Sequence, residues 1–277
     1  MQPLVSIVIP CYNHECFIED TIQSIIDQTY ERIELIIIDD GSIDLSVAKI
    51  KAMLPICQKR FERVYFTTRP NKGVCATLNE ALTHCHGKYV SFIASDDLML
   101  PQKTFIQVKY LENHADITGV FGGIFLINDQ GEVVGERVSQ ITEYTFEDVI
   151  KSKHDLPALT QMYLLSVLKD IDGFDPNIKI EDWDLLLRLL QKKYKLAYIP
   201  EKLAKYRVHN TNFSKNSLRM AIEMQKVLEK FKHEPYYSYV NYRLNRTILR
   251  ERFKKRNPIK YYIMKIINKM NYIRSTI

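Results

Sequence analysis

Three of the adjacent carboxylate pairs along this sequence could do chemistry: Asp39-Asp40, Asp96-Asp97 and Glu181-Asp182, the last followed closely by Asp184. Neighbouring carboxylates point in different directions, so one can hold a divalent cation while the other takes a ribose hydroxyl. An ionised, well-placed aspartate is also what a general base needs to deprotonate a hydroxyl nucleophile. Two further polar clusters accompany them: Pro10-Cys11-Tyr12-Asn13 and Arg69-Pro70-Asn71-Lys72-Gly73. Trp183, the only tryptophan, fits either a core anchor or a stacking wall for a sugar ring. Taken singly, each cluster is also ordinary structure. Asp39-Asp40-Gly41-Ser42 is good turn and N-cap chemistry, Asn71-Lys72-Gly73 can be a turn before a helix, and acids opening a helix complement its dipole.

Their placement between secondary-structure elements gives them a common meaning. Apolar runs at 4–9 (LVSIVI), 33–38 (IELIII), 64–67 and 89–94 (YVSFIA) read as strands. Helical spacing intervenes at Ile18, Ile22, Ile25 and Ile26, and again at Val74, Leu78, Ala81 and Leu82. Near-continuous apolar strands alternating with helices imply a parallel sheet covered on both faces, which binds ligands beyond the carboxyl ends of its strands. Four of the polar clusters each follow one of these strands. After Ser95 the alternation breaks down. Residues 119–128, Asp129-Gln130-Gly131 and 132–134 predict a hairpin, and a helix is expected from Glu181 with Trp183, Leu186, Leu187 and Leu190 on one face. Two short strands are expected at 196–199 and 203–208, then helices interrupted at Pro235 and Pro258.

A rim of this kind suits a nucleoside diphosphate, yet neither G-x-G-x-x-G nor G-x-x-x-x-G-K-[ST] is present. Without a glycine nest, phosphate charge is most simply neutralised by a divalent cation held on carboxylates. Asp96 and Asp97 at a strand end can supply that site.

The 277 residues carry a formal charge of +6, which hides a split: eleven Lys/Arg and one acid, Glu251, fall in 241–277, leaving 28 basic and 32 acidic groups before them. Gly173 is the last of nine glycines, which favours helix over tight turns in the remainder. The five cysteines are an odd number without a C-x-x-C pair and read as reduced thiols of a cytosolic protein. The start lacks the basic and apolar regions of a signal peptide, and no run approaches the ~18 apolar residues of a membrane span. Residues 254–277 mix cations with Tyr, Ile and Met, the composition of a helix on an anionic membrane surface or of one docked on the body by its apolar face.

In their order and spacing, VSIVIPCYNHE, LIIIDDGSID, RPNKGVCATLNEAL, YVSFIASDDLMLP, GFDPNIKIEDWDLLLRL and YRVHNTNFS resemble family 2 glycosyltransferases of the GT-A fold, over roughly residues 3–213. The resemblance implies an α/β architecture, Rossmann-like, with a mostly parallel central sheet flanked by helices. Residues 1–213 would form the GT-A domain, nucleotide-binding to about 115 and acceptor-binding over 116–213, followed by a basic helical extension at 214–277. By the same resemblance, Pro10, Tyr12 and Asn13 line the base and ribose pocket, Asp39 or Asp40 meets the base, and Asn71, Lys72 and Gly73 close over the nucleotide. Asp96 lies near the ribose, Asp97 binds Mg²⁺ or Mn²⁺, and His209 approaches the diphosphate or its metal. Asp182 is the catalytic base, with Glu181 and Trp183 towards the acceptor. The implied reaction moves one sugar, with inversion, from a nucleotide-diphosphate sugar to a hydroxyl of a glycan or lipid-linked acceptor in cell-surface polysaccharide assembly. UDP is favoured by family frequency. The expected setting is the cytoplasm or the inner face of the cytoplasmic membrane, with no nucleic-acid partner.

Two departures matter. Ala94-Ser95-Asp96-Asp97 lacks the first acid of the common Asp-x-Asp-Asp, which leaves Asp97 as the main metal ligand. Leu187-Arg188-Leu189-Leu190-Gln191-Lys192 lacks the Q-x-x-R-W ending of processive synthases, so single-sugar transfer is expected. Two other classes compete. A sugar-nucleotide nucleotidyltransferase would usually carry a glycine-rich loop with a basic residue after the first strand, which Pro10-Cys11-Tyr12-Asn13 does not provide. A nucleic-acid binder using the basic tail conflicts with the acidic body and the lack of a reading motif.

Overall fold

The apolar runs at the start of the chain become a parallel sheet. In the computed structural model, which describes residues 2–140, 142–209 and 216–275, strand β1 (Val5–Cys11) leads through helix α1 (Ile18–Ile26) to β2 (Ile33–Asp39), and both strands are buried almost end to end. Helix α2 (Ser46–Arg60) leads to β3 (Arg63–Thr68), and α3 (Val74–Thr83) to β4 (Tyr89–Phe92). These strands pair in parallel in the order β3-β2-β1-β4. The chain moves outward from β1 to β3, then returns to β4 on the other side of β1. The crevice of such a sheet opens between the carboxyl ends of β1 and β4.

A buried carboxylate locks the opposite end of this sheet. Glu34 on β2 accepts from Ser6 Oγ at 2.6 Å, His86 N at 2.6 Å, Gly87 N at 3.1 Å and Arg63 Nη1 at 3.0 Å. Burial pushes its acidity down, but these donors outweigh burial and hold it below the ordinary glutamate range. Glu34→Ala would leave the His86 N–H without its acceptor and take a charged partner from Arg63, which keeps His84 O, while Gly87 N keeps Ser6 Oγ. It is expected to cost ~2 kcal/mol of stability. Urea unfolding checks this, and an unchanged midpoint would contradict the role.

Beyond β4 the sheet turns mixed. In chain order come β5 (Leu98–Met99), α4 (Lys103–Asn113), β6 (Ile117–Ile127), β7 (Val133–Arg137) and α5 (Phe146–Ile150). A 3₁₀ turn at Ala158–Thr160 precedes β8 (Met162–Leu164), α6 (Leu165–Asp170), α7 (Glu181–Gln191) and β9 (Lys195–Arg207). Strand β8 runs antiparallel between β4 and β6, β9 runs parallel to β6, and β5 closes the row antiparallel to β9. The expected hairpin is β6-β7. The two strands expected at 196–199 and 203–208 are instead one strand. Its pairing jumps from Gly122↔Ile199 to Gly123↔Lys202, so Pro200 and Glu201 bulge out of register. Proline lacks an N–H and is tolerated where the ladder is interrupted. A Cβ on Gly122 would sit 2.4 Å from Leu203 Cδ1, so the bulge also needs a residue without a side chain opposite it.

Three helices end the chain: α8 (Ser217–Glu229), α9 (Tyr237–Phe253) and α10 (Pro258–Ser275). Ala221, Val227, Leu228, Val240 and Leu244 join the same core cluster as Trp183 and Leu186, so α8 and α9 pack on the body. The expected boundary at 213/214 and the 210–214 part of the YRVHNTNFS segment lie outside the described residues. No helix among the described residues is long and apolar enough to cross a membrane.

Candidate active site

At the carboxyl end of β2, adjacent aspartates divide two tasks. Asp40 accepts from Lys72 N at 2.8 Å and Gly73 N at 2.9 Å and pairs closely with Arg69, so it is consumed in shaping the 69–73 loop. Asp39 is wholly buried, and its Oδ2 accepts from Thr68 Oγ1 at 2.7 Å, Ser42 N at 3.1 Å and Gly41 N at 3.2 Å. Its Oδ1 is buried with no hydrogen-bond partner among the described residues. Such an orphaned acceptor is costly unless a ligand donor reaches it. The loop after β1 is stitched beside it: Asn13, at φ 53°, donates its N–H to Ser42 Oγ at 2.8 Å and accepts from Ile43 N at 2.9 Å. Tyr12 stays 48% exposed on this rim. A Cβ on Gly41, at φ +79°, would lie 2.8 Å from Asn71 N, so the loops after β2 and β3 touch only because that residue is glycine.

After β4, Asp96 and Asp97 are both buried. Asp97 Oδ1 accepts from Arg207 N at 2.8 Å, and its carbonyl accepts from Thr21 Oγ1 at 2.9 Å. Burial, then the charge of Asp96, raise its pKa well above the aspartate range. Asp96 Oδ2 lies 2.9 Å from His209 Nε2, while His14 Nδ1 is 3.9 Å from Oδ1 and 2.7 Å from Ser95 Oγ. Arg207, itself buried, donates Nε to Asp96 O at 2.9 Å and lies 4.6 Å above the Phe17 ring. Two crowded, desolvated carboxylates are relieved by a cation, so the donor chemistry fits a divalent metal. Among the described residues no three His, Cys, Asp or Glu side chains converge into a complete metal site.

The third carboxylate pair opens α7, and α3 fixes the approach to it. Asn79 on α3 donates Nδ2 to Phe174 O at 2.7 Å and accepts from Phe174 N at 2.8 Å. Burial, then the Asp182 charge, push Glu181 up to about 8. Burial also raises Asp182, although Trp183 N donates to its Oδ1 at 2.7 Å. The helix dipole led us to expect carboxylates that ionise readily; desolvation outweighs it here. Both carboxyls of the pair therefore hold their protons more tightly than exposed carboxylates do.

One cavity of about 460 Å³ joins the second and third carboxylate pairs: Asp97, Glu181 and Asp182 line it, with Pro10 beside them. Its far wall carries Gln161, His154 and Arg137. Gln161 Oε1 and His154 Nδ1 are buried with no partner among the described residues. The size is that of a small-molecule site. A cation-competent carboxylate and a potential base thus face one space.

The sequence profile of the family described as Glycosyl transferase family 2 matches residues 6–166. This chain is a family 2 glycosyltransferase. The glycosyltransferase is 30% identical over 227 residues to an uncharacterized glycosyltransferase of Haemophilus influenzae, across 80% of this chain and 86% of that one. It is also 30% identical over 226 residues to a putative teichuronic acid biosynthesis glycosyltransferase, TuaG, of Bacillus subtilis, across 79% and 85%. S. aureus TarS 1–349, solved in complex with UDP-GlcNAc, superposes with a TM-score of 0.71 over 99% of this chain and 82% of its own, at 16% identity. A mannosyltransferase of Pyrobaculum calidifontis, solved with GDP-Man and Mn²⁺, gives 0.68 over 100% and 84%, also at 16%. At that identity the likeness concerns the fold alone, which is GT-A.

Against this frame some residues of the glycosyltransferase take other places than expected. Trp183 is 4% exposed, donates Nε1 to Val149 O at 2.8 Å and belongs to the core, so it anchors α7 rather than forming a wall for a sugar. Asp40 is taken up by Lys72 N, Gly73 N and Arg69 of the 69–73 loop. His209 lies against Asp96, with Nε2 2.9 Å from Oδ2. Tyr12, Asn13, Asp39, Asn71, Lys72 and Gly73 form the neighbouring rim and do not line the cavity. Sequence reasoning passed over Arg207, His14, Gln161 and His154. Arg207 had one available signal: paired buried carboxylates need a nearby cation, and Arg207 lies in the same segment as His209.

Proposed function

We propose that this glycosyltransferase moves one sugar from a nucleotide-diphosphate sugar, a UDP-sugar by preference, to a hydroxyl of a glycan or lipid-linked acceptor, with inversion at the anomeric carbon. The single observation that supports this reading is that Asp97 and Asp182 line one cavity. Residues to about 115 hold the donor: Asp39 Oδ1 accepts a base N–H, Tyr12 and Pro10 flank the base and ribose, and Asn71, Lys72 and Gly73 cover it from the loop that Asp40 braces. Residues 116–213 hold the acceptor, with Gln161 and His154 accepting from its hydroxyls.

Asp97, with His209 and Asp96 beside it, would hold Mg²⁺ or Mn²⁺, which when bound supplies positive charge to the nucleoside diphosphate. The remaining work falls to side chains. Oδ1 of Asp182 is held by Trp183 N, and Oδ2 takes the acceptor hydroxyl proton. The acceptor oxygen forms its bond to the anomeric carbon as the bond to the diphosphate oxygen breaks, and the electron pair leaves with the nucleoside diphosphate. Protonated Glu181 spares Asp182 a second negative neighbour. Relatives named for teichuronic acid and O-antigen biosynthesis support cell-surface polysaccharide as the destination. A peripheral seat on an anionic membrane through residues 254–277, on the cytoplasmic face, belongs to the same reading.

Sugar nucleotides screened with Mn²⁺ for thermal stabilisation, and the best one tested for hydrolysis, check the donor assignment. Stabilisation by none of them would count against it. In Glu181→Gln, the pH-dependence of kcat/KM centred near 8, where Glu181 ionises, is expected to disappear. The fall in activity towards acid, set by Asp182, should remain. Superimposable profiles would rule out that division of roles.

A further inference from the structure

We propose that α10 lies flat on an anionic lipid bilayer with its outward face sunk to the level of the headgroups and its cations at their phosphates. This deepens the membrane seat in the reading above but does not depend on the transfer chemistry. The orientation of the helix carries it. Tyr261, Met264, Asn268 and Tyr272 are its half-buried positions, spaced as one stripe against α9. Asn268 Nδ2 donates to Tyr242 O at 3.1 Å, and the Tyr272 ring stacks on Tyr242 at 4.8 Å. At about 100° per residue, Ile259, Tyr262, Ile263, Ile266, Ile267 and Met270 fall on the opposite side, with exposures of 42–76%. A helix on a soluble protein turns its apolar stripe to the core. This one packs its amide and phenol groups inward and presents isoleucines to the outside. Contiguous exposed apolar surface of this kind marks an interaction site.

The charges select the partner. Lys260 and Arg274 border one edge of the apolar stripe, and Lys265 and Lys269 border the other. Helix α10 has no acidic residue, and Lys254-Lys255-Arg256 stand just before it. A second copy of the chain would bring these cationic edges against each other, which is unfavourable. Phosphate headgroups match both edges at once, while the aliphatic stems of Lys and Arg extend along the apolar surface. The helix is not apolar enough to cross a bilayer, which leaves the interfacial position.

The test is flotation of the full chain with phosphatidylcholine vesicles, with and without phosphatidylglycerol. Retention on the anionic vesicles is expected to exceed that on neutral ones about tenfold and to fall with added salt. Both Ile263→Asp/Ile266→Asp and Lys265→Glu/Lys269→Glu should abolish it. These side chains are exposed, so the fold is retained; the thermal midpoint verifies this, and stabilisation by a sugar nucleotide with Mn²⁺ reads the transfer site separately. Three results would overturn the proposal: wild type left behind by anionic vesicles, the isoleucine double variant floating as well as wild type, or a wild-type dimer that this variant dissociates. Intact flotation without donor stabilisation would support the membrane face and count against the transfer reading instead.

Discussion

Asp182→Asn is expected to lower sugar transfer by about 10³-fold, the loss typical when a positioned general base is removed. The substitution is close to isosteric, and Asn Oδ1 can still accept the Trp183 N–H, so α7 should start where it does in the wild type. Donor binding should survive, because Asp182 stands on the cavity wall formed by α7 while the proposed base and ribose contacts come from the loops after β1, β2 and β3. Steady-state transfer and donor titration on the same preparation check both halves. Full turnover would remove Asp182 from the mechanism. Equal loss of binding and turnover would make it a structural residue.

The second large effect belongs to Asp97. Asp97→Ala is expected to lower turnover by about 10²–10³-fold, the scale of losing one preorganised electrostatic partner of a developing charge. It should also abolish the metal-dependent part of donor affinity. Because Asp97 Oδ1 accepts from Arg207 N, alanine frees that N–H as well. Asp97→Asn restores an acceptor for it without restoring the charge. If charge is what matters, both variants lose Mn²⁺-dependent donor binding alike; recovery in the asparagine variant would point to the Arg207 contact. Unchanged titrations in both would contradict a metal role.

The parallel half of the sheet was legible because β1, β2 and β4 are buried on both faces and therefore nearly all apolar, and each stops at a polar cluster. The mixed half was not. Strands β5 and β8 are two and three residues long, too short to show a period, and the Pro200-Glu201 bulge splits β9 into apparent halves. Within the site, sequence marked the carboxylates but not their division of labour. Whether Asp39 or Asp40 is the free one depends on where Arg69, Lys72 N and Gly73 N arrive, which is tertiary information. Trp183 had two readings, and the path of α5 beneath it decided between them by placing Val149 O under the indole. The acidity of Glu181 and Asp182 was misjudged for a related reason. A helix dipole is visible in sequence, whereas burial depends on the walls around it. In the tail, composition announced an amphipathic helix, but only packing shows that its apolar side faces away from α9.

The most direct test of the central claim is the stoichiometry of products. Incubation with a sugar nucleotide, Mn²⁺ and a hydroxyl acceptor should release one nucleoside diphosphate for each sugar transferred, with inverted anomeric configuration and almost none released by Asp182→Asn. Release of pyrophosphate, or nucleoside diphosphate formed equally fast by wild type and by Asp182→Asn, would contradict it.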